Sequence, residues 1–407
     1  MKSSYRLITL IQKALVYIIL TAFVYIMLFP FLFMFSTSFK DQTDTFRYPP
    51  RLLPHEQLTK IVPGYEAMGE LPMYYASMNG EQVPYALVEQ NIRSGVYAEP
   101  GNLDVTYTYP ISDIQPTGGA ENQTTTIVDG EEQLLWDVPV DGEIIPMLKV
   151  NQTALGRFVN PEDPTQEILQ NVRLSTPVEK VSIKPENYAD VRDLQGLDRS
   201  LTNTALVTIL VVLGQLLTSV LGGYALARLR FPGRDQLFLV YLGTIMIPFV
   251  VLITPLYQLM VMIGWVDKLA SLIIPWIFTA YGTFLMRQFF ITIPKEIEEA
   301  ALIDGASRFQ ILYKIFLPAS VPALATLATF TFLYAWNSFF WPLVIINTGN
   351  RLNHVLTLSL SQLRGRAADN ANLVMAGAAI AILPPMIIYI LAQRFFVESA
   401  TSSGVKG

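Results

Sequence analysis

The chain lacks cysteine and is poor in histidine. Its 407 residues contain no Cys and two His. Without Cys, no disulfide can stabilise the chain, so each folded domain depends on its own core. His55 and His354 have no second ligand nearby in the sequence, so we expect no metal site and interpret both as ordinary surface residues.

The sequence also lacks a nucleotide-binding motif and the charge pattern of a nucleic-acid-binding protein. No Gly-x-x-x-x-Gly-Lys-Ser/Thr sequence, which would cradle nucleotide phosphates, occurs anywhere in the chain. We therefore expect no ATP hydrolysis by this chain. The apolar runs contain no paired carboxylates or His clusters, so we expect no other enzymatic activity, and we expect no cofactor. Charged residues make up only 15% of the sequence, and their distribution gives no sign of nucleic-acid binding.

Apolar residues, in contrast, are abundant and come in long runs. They make up 52% of the chain, and the mean hydropathy is +0.38. A helix needs about 20 apolar residues to cross a bilayer. Six spans are predicted, at about 14–36, 201–227, 236–263, 269–293, 315–346 and 371–393. The first is predicted to be a retained anchor, because its apolar core is too long for a cleaved signal and no small-x-small site follows.

The positions of Lys and Arg beside these spans predict the orientation. Most of them fall on one side if the six spans alternate: Lys2, Arg6, Lys13, Arg228, Arg230, Arg234, Arg287, Lys295, Arg308, Lys314, Arg394 and Lys406. Positive residues favour the cytoplasmic side of a membrane protein. We therefore predict a multi-pass protein of the cytoplasmic membrane with both termini inside. Arg351, Arg364 and Arg366 are exceptions on the outer side.

A region of different composition separates the first two spans. Residues 41–199 carry 25 acidic and 11 basic residues, although the whole chain has a net charge of only −5. Alternating polar and apolar residues at 103–109, 124–128 and 143–150 predict strands, and Asp129-Gly130 and Asp141-Gly142 predict turns between them. The predicted fold is an all-α membrane core with a β-rich extracytoplasmic insertion between the first two helices. The chain is predicted to divide into an N-terminal tail with the first span (1–40), the insertion (41–199) and the membrane permease core (200–407).

A short segment between two apolar runs carries the clearest motif. It reads Glu299-Ala300-Ala301-Leu302-Ile303-Asp304-Gly305, and Ile315-Phe316-Leu317-Pro318 follows ten residues later. Pro294 favours a helix start, and Gly305 can adopt the positive φ that a tight corner between helices requires. The segment predicts a short helix, a corner and a second helix on the cytoplasmic side.

These residues resemble the permease subunits of ABC importers, whose shared pattern is Glu-Ala-Ala, three residues, Gly, nine residues, Ile, one residue, Leu-Pro. The resemblance implies a cytoplasmic coupling helix at about 294–314 that docks into a separate ATPase. It implies an ATPase-coupling role for Glu299, Ala300, Ala301, Asp304 and Gly305, with Glu299 pairing with a basic residue of the ATPase. The alternative for Glu299 is a solvated helix charge, and Asp304 could either cap the helix or repel the partner.

Other segments narrow the resemblance to the smaller permease of maltose-type sugar importers, with the type I importer fold. They are 222–228, 287–290, 334–343 and the end of the chain, 393–407. The resemblance covers the first span and residues 200–407, and residues 41–199 depart from it. It implies ATPase subunits, a second homologous permease, an extracytoplasmic solute-binding protein, a sugar substrate and the lipid bilayer as partners.

Three residues of the predicted fifth span are candidates for the sugar path. Asn337 is a polar group within a span, where such groups usually face a cavity, and the aromatic faces of Trp336 and Trp341 could stack on a sugar ring. The alternatives are a helix-helix hydrogen bond for Asn337 and interface anchoring for the tryptophans.

Other functions remain open from the sequence. An importer of polyols or glycerol phosphate esters would show the same motifs. A membrane sensor would need a cytoplasmic output domain, a membrane enzyme would need a catalytic set within the spans, and a passive channel would not need a docking loop. The sequence favours a subunit of an ATP-driven sugar importer.

Overall fold

A computed structural model describes residues 2–78, 81–119, 123–128, 131–140, 142–366 and 370–404. The chain divides into two compact units. The helical unit consists of Met1–Pro54 and Ile183–Gly407, and the β unit consists of His55–Ser182.

The helical unit contains long apolar helices and short connecting ones. In chain order they are α1 (Lys2–Ser38), α2 (Gln42–Thr45), α3 (Glu186–Gln195), α4 (Leu197–Arg228), α5 (Arg234–Gly243), α6 (Phe249–Met262), α7 (Ala270–Ile273), α8 (Ala280–Thr292), α9 (Lys295–Ile303), α10 (Arg308–Ile311), α11 (Leu317–Ala319), α12 (Val321–Trp336), α13 (Phe340–Ile345), α14 (Leu356–Arg366) and α15 (Ala371–Gly404). Helix α4 packs against α8 and α12, and α15 packs against α1 and α12. The unit therefore has α4 and α12 at its centre.

Within the described residues, three helices are long and apolar enough to cross a membrane: Thr9–Ser38, Leu197–Arg228 and Ala371–Arg394. Two bent pairs, Arg234–Met246 with Phe249–Met262 and Arg308–Ala319 with Val321–Trp336, would raise the number to five. The predicted span at 269–293 is interrupted at Ile274–Trp276, and its longest helix, α8, has 13 residues. Pro275 lies at this interruption, where it cannot donate a helical hydrogen bond. The number of six spans stays a prediction.

Buried hydrogen bonds join the two ends of the helical unit that flank the β unit. The Asn187 side chain donates to the carbonyl oxygens of Ser38 and Lys40, both at 2.9 Å, and the Lys184 N–H donates to Phe39 O at 2.9 Å. Asn372 of α15 also donates to Lys40 O, at 3.2 Å. These bonds fix residues 38–40 beside residues 184–187 although a whole unit separates them in sequence.

The β unit is built on antiparallel strands. They are β1 (His55–Gln57), β2 (Thr59–Lys60), β3 (Leu71–Met78), β4 (Glu81–Glu99), β5 (Asn102–Pro110), β6 (Gln115–Pro116), β7 (Thr125–Val128), β8 (Glu131–Val140), β9 (Glu143–Val159), β10 (Glu167–Gln170), β11 (Thr176–Pro177) and β12 (Glu179–Val181). The main sheet has the order β11-β3-β4-β9-β8-β6, with β2, β5, β7 and β10 paired at its sides, and β1 pairs with β12.

Strands β4 and β9 form the centre of the β unit. They pair from Ala86 with Val159 to Ala98 with Leu148, and they are long enough to contribute to three apolar clusters. Tyr85 and Tyr97 are completely buried on β4. Burial also raises the pKa of the Tyr97 hydroxyl. With no disulfide available, these clusters supply the stability of the unit.

Two predictions can be compared directly with this fold. The β-rich character of the insertion is confirmed, since the three predicted strands coincide with parts of β5, β7 and β9, apart from Thr124, which precedes β7. Of the predicted turn residues, Asp129, Gly130 and Asp141 lie outside the described residues. The interpretation of His354 as a surface residue is wrong: its side chain is fully buried, with Nε2 3.2 Å from Asn347 O, because α14 begins two residues later and packs against α4.

Candidate coupling site

The Glu-Ala-Ala segment ends in a defined helix-terminating motif. Helix α9 follows Pro294, and Gly305 has φ of +80°. The Ala306 N–H donates to Ala301 O at 3.0 Å, and the Gly305 N–H donates to Leu302 O at 3.1 Å. These six-to-one and five-to-two hydrogen bonds define a Schellman motif with glycine in the left-handed conformation. The glycine of the pattern is therefore required by the backbone of the corner.

A second helix begins immediately after this corner. Ser307 Oγ accepts a hydrogen bond from the Gln310 N–H, and the Gln310 side chain accepts one from the Ser307 N–H, which forms a capping box. Helix α10 continues into a π-helical turn at Leu312–Phe316 and then into α11. The corner is thus fixed on both sides by its own hydrogen bonds.

Arg228, the last residue of α4, connects this corner to the rest of the helical unit. Its guanidinium donates to the carbonyl oxygens of Phe290 and Ile293, at the C-terminal end of α8. It also pairs with Glu298 at 3.4 Å and lies 4.9 Å from the centre of the Phe316 ring. A guanidinium suits this position, because it offers several donors in one plane and a face for an aromatic ring.

Close packing of α4 on α8 brings Arg228 to this position. A Cβ on Gly223 would lie 2.7 Å from Met286 Cβ and 2.9 Å from Arg287 N. Only glycine allows the two backbones to approach so closely. One turn later, Arg287 Nε donates to Leu226 O at 3.2 Å. The Gly222-Gly223 pair therefore serves helix packing in this chain.

Glu298 is the buried charge of the segment. Its side chain is 9% exposed and lies between two cations: Arg228, which is also buried, and Arg308, which is half-exposed. The three residues form the triad Arg228–Glu298–Arg308. A buried carboxylate is tolerated only where it is paired and hydrogen-bonded. The triad therefore holds α9 and α10 against the ends of α4 and α8.

Four of the five predicted coupling residues lie on the outer side of α9 and its corner. Glu299, Ala300, Asp304 and Gly305 are exposed, and Ala301 is half-buried against the apolar cluster around Phe316. The apolar side chain of Ile303, between Leu302 and Asp304, is 87% exposed. The structure brings the five residues together on one short helix and its corner. It also shows that Glu298, and not Glu299, makes the internal ion pairs.

The three predicted sugar-path residues lie in different surroundings. Trp341 is buried and donates from Nε1 to Ser271 O at 2.9 Å, and Trp336 is buried and donates to Ala381 O at 3.0 Å. Asn337 is exposed, and its Nδ2 donates to Leu333 O at 2.8 Å, at the C-terminal end of α12. Both tryptophans line a cavity of about 20 Å³. That volume suits one water molecule, so both indoles act in packing in this conformation.

The importance of Glu298, Arg228 and Arg308 was not predicted from the sequence. Glu298 precedes Glu299 directly, and two adjacent carboxylates give no sign of which one is buried. A partial signal exists in the helical period, because Glu298 and Ala301 are three residues apart and share the inner face of α9. The partner Arg228 lies 70 residues away and has no such signal.

Comparison with known proteins bears on the part of the helical unit that follows the β unit. The family described as "Binding-protein-dependent transport system inner membrane component" matches residues 201–401. The arabinooligosaccharides transport system permease protein AraQ of Halalkalibacterium halodurans is 38% identical over 205 residues, which cover 50% of this chain and 73% of that protein. The chain belongs to this family. It is a permease subunit of an ABC importer and an inner membrane component.

Two other known proteins are similar to about half of this chain. The sn-glycerol-3-phosphate transport system permease protein UgpE of Rhizobium meliloti is 38% identical over 220 residues, which cover 52% of this chain and 78% of that protein. A solved bacterial ABC transporter involved in the import of the acidic polysaccharide alginate has 27% identity and a TM-score of 0.47, covering 55% of this chain and 82% of that one. The family match begins at residue 201, after the β unit ends.

Proposed function

We propose that this permease couples ATP hydrolysis on separate ATPase subunits to saccharide import through the Glu-Ala-Ala loop, residues 294–314. One observation carries the proposal. The loop has an inner side fixed by the triad and an outer side that exposes Glu299, Ala300 and Ile303. A rigid helix with an exposed apolar tip is suited to a groove of another protein.

The physical requirement for coupling supports this assignment. A movement of the ATPase reaches the spans only if the docked helix moves with them as one body. Arg228 supplies this connection, because it contacts α8, α9 and the segment after α10 at once. Ala300 presents a small side chain, which permits close approach, and Glu299 presents a charge for a basic residue of the ATPase.

We infer the remaining features of the assembly from the family and the sequence. The membrane core has six spans with both termini in the cytoplasm, and residues 41–199 form an extracytoplasmic insertion that contains the β unit. ATP is hydrolysed by other subunits, and a second homologous permease completes the pathway. A solute-binding protein delivers the sugar, which passes the exposed side chain of Asn337. The buried side chains of Trp336 and Trp341 pack behind the residues that line this path.

An oligosaccharide is the proposed substrate. The named substrates of the similar permeases are arabinooligosaccharides and sn-glycerol-3-phosphate. The second of these supports the alternative of a polyol or glycerol phosphate ester. Uptake assays with radiolabelled arabinotriose and glycerol-3-phosphate in cells that express the complete transporter distinguish the two.

The docking proposal is tested with Ala300→Leu. The added side chain lies on the exposed face of α9, so we expect the permease to fold. We expect the ATPase to be lost on purification and the rate of ATP-driven uptake to fall at least about tenfold. Ala189→Leu is the matched control, because Ala189 is also an exposed helical alanine but lies on α3, outside the loop. Retention of the ATPase and of full uptake by Ala300→Leu would refute the docking role.

A further inference from the structure

The β unit contains a polar groove that the transport mechanism does not use. Its volume is about 570 Å³, which is in the range of small-ligand sites of about 300–1,000 Å³. Its polar lining includes Gln90, Asn91, Arg93, Gln152, Asn171 and Arg173. The groove lies on β4, β9 and the turn after β10.

Irregular pairing of β4 shapes one wall of the groove. The register between β4 and β9 shifts three times, and two of these shifts, between Leu87 and Glu89 and between Glu89 and Ile92, lie beside the groove. Asn91 lies in the second shift and has φ of +64°. Such bulges turn side chains away from the regular alternation of a strand and are common beside binding sites. Here the bulge brings Gln90 and Asn91 into the groove lining.

Hydrogen bonds fix the opposite wall. Asn171 Nδ2 donates to Thr153 Oγ1 at 3.3 Å, and Asn171 Oδ1 accepts from the Arg173 N–H at 3.0 Å. The first bond joins Asn171 to β9, and the second caps the turn at Val172–Leu174 that Asn171 precedes. The backbone that carries Arg173 is therefore held in place before any ligand arrives, which lowers the entropic cost of binding.

The charge of the groove is opposite to that of its surroundings. Residues 55–182 contain 19 Asp and Glu but only six Lys and Arg, and two of these six, Arg93 and Arg173, line the groove. No Asp or Glu is among the described residues that line it. Two exposed guanidiniums within one groove would repel each other, so an anion between them would be stabilised.

Two of the other four cations of the unit are paired with carboxylates, and a third, Lys149, lies 5.9 Å from the centre of the Trp136 ring. Arg157 pairs with Glu89 and Glu167, both at 3.3 Å, and Lys180 pairs with Glu56 at 3.9 Å. Among the described residues, neither the Arg93 nor the Arg173 side chain makes an ion pair or hydrogen bond. In an acidic unit with many available carboxylates, two arginines without partners in one groove are available to a ligand.

We propose that this groove binds an oligosaccharide that carries carboxylates, that is, a uronate. Arg93 and Arg173 bind the carboxylates through charge-assisted hydrogen bonds, and the side-chain amides of Gln90, Asn91 and Gln152 bind the ring hydroxyls. Amides suit hydroxyls because each offers both donors and an acceptor. The choice of a saccharide over other anions rests on the proposed function, whereas the anion preference rests on the groove itself.

The test is calorimetric titration of trigalacturonate into the full chain in lipid nanodiscs. We expect binding that weakens with rising salt and is at least about 30-fold weaker in the variant Arg93→Gln with Arg173→Gln. The variant Lys60→Gln with Lys149→Gln is the control, because it removes the same charge from the same unit outside the groove. It should bind as the wild type does. Neutral maltotriose should bind much more weakly.

Three results would overturn the proposal. The first is that the double arginine variant binds trigalacturonate with the same affinity as the wild type. Another is equal, arginine-dependent binding of inorganic phosphate, which would make the groove a general anion site. The third is loss of solute-binding-protein capture in the variant without any trigalacturonate binding, which would make it a protein interface. The double variant should retain its ATPase, and Ala300→Leu should retain trigalacturonate binding, so this proposal and the coupling proposal fail independently.

Discussion

The two units each contain a charged triad, and the triads differ in burial. In the helical unit, Glu298 lies between Arg228 and Arg308, and the Glu298 and Arg228 side chains are 9% and 5% exposed. In the β unit, the charges are reversed: Arg157 lies between Glu89 and Glu167, and all three side chains are at least 40% exposed. A triad of alternating charges is therefore desolvated in the helical unit and exposed to water in the β unit.

The comparison shows how burial changes what a triad does. In the β unit, water screens the charges, so the exposed pairs contribute little to stability. In the helical unit, removing one charge leaves another without compensation in an apolar environment. The buried triad consequently fixes the position of α9, whereas the exposed triad has little effect on the fold.

Breaking the buried triad should have the largest effect. Glu298→Gln leaves Arg228 without its carboxylate, and we expect the free energy of unfolding to fall by about 3 kcal/mol. Thermal unfolding in detergent measures the change, and ATP-driven uptake should be lost with it. Glu299→Gln is the matched control, since the neighbouring carboxylate is exposed: it should leave Tm nearly unchanged while reducing ATPase binding. Equal Tm values for the two variants would contradict the structural role of Glu298.

The corner beside the buried triad should be the next most sensitive feature. Gly305→Ala forces a side chain into a backbone with φ of +80°, and we expect a loss of about 1–2 kcal/mol. Gly243→Ala is the control, because Gly243 has φ of −57° and open space around its Cβ position. Circular dichroism melting of both variants tests the difference. A Gly305→Ala protein as stable as Gly243→Ala would show that the corner adapts without strain.

Breaking the exposed triad should have a small effect. Glu89→Gln removes one half-exposed ion pair of Arg157, so the free energy of unfolding should change by less than about 1 kcal/mol and by still less in high salt. Chemical unfolding at two salt concentrations measures this. A loss as large as that of Glu298→Gln would mean that burial does not separate the two triads.

Asp163, a partly exposed carboxylate of the β unit, is stabilised by hydrogen bonds instead of ion pairs and extends the comparison. Hydrogen bonds from the Thr165 side chain and N–H, and from the Gln166 side chain, lower the pKa of Asp163. A lowered folded-state pKa means that this stabilisation is present above the unfolded pKa and is lost as the pH falls through the folded value. Thr165→Ala should raise the Asp163 pKa toward its ordinary value, as measured by carboxyl NMR with labelled aspartate. An unchanged pKa would assign the shift to another group.

Much of the architecture followed from local sequence patterns. Alternation of polar and apolar residues predicted the strands that became β5, β7 and β9, because a strand needs only a local period of two. The apolar runs predicted α1, α4 and α15 for a similar reason, and Pro294 and Gly305 predicted a helix and a corner that are present at α9 and Gly305. These features depend on neighbouring residues, which the sequence displays directly.

The sequence by itself determined the apolar membrane core, the acidic β-rich insertion and the family motif. Only the tertiary structure decided which of two adjacent carboxylates is buried, since Glu298 meets Arg228 across 70 residues of chain. It likewise decided that Trp336 and Trp341 are packed inside and that Arg93 and Arg173 share a groove. The physical reason is common to all three. Burial and charge pairing depend on contacts between distant segments, and these contacts exist only after the chain has folded.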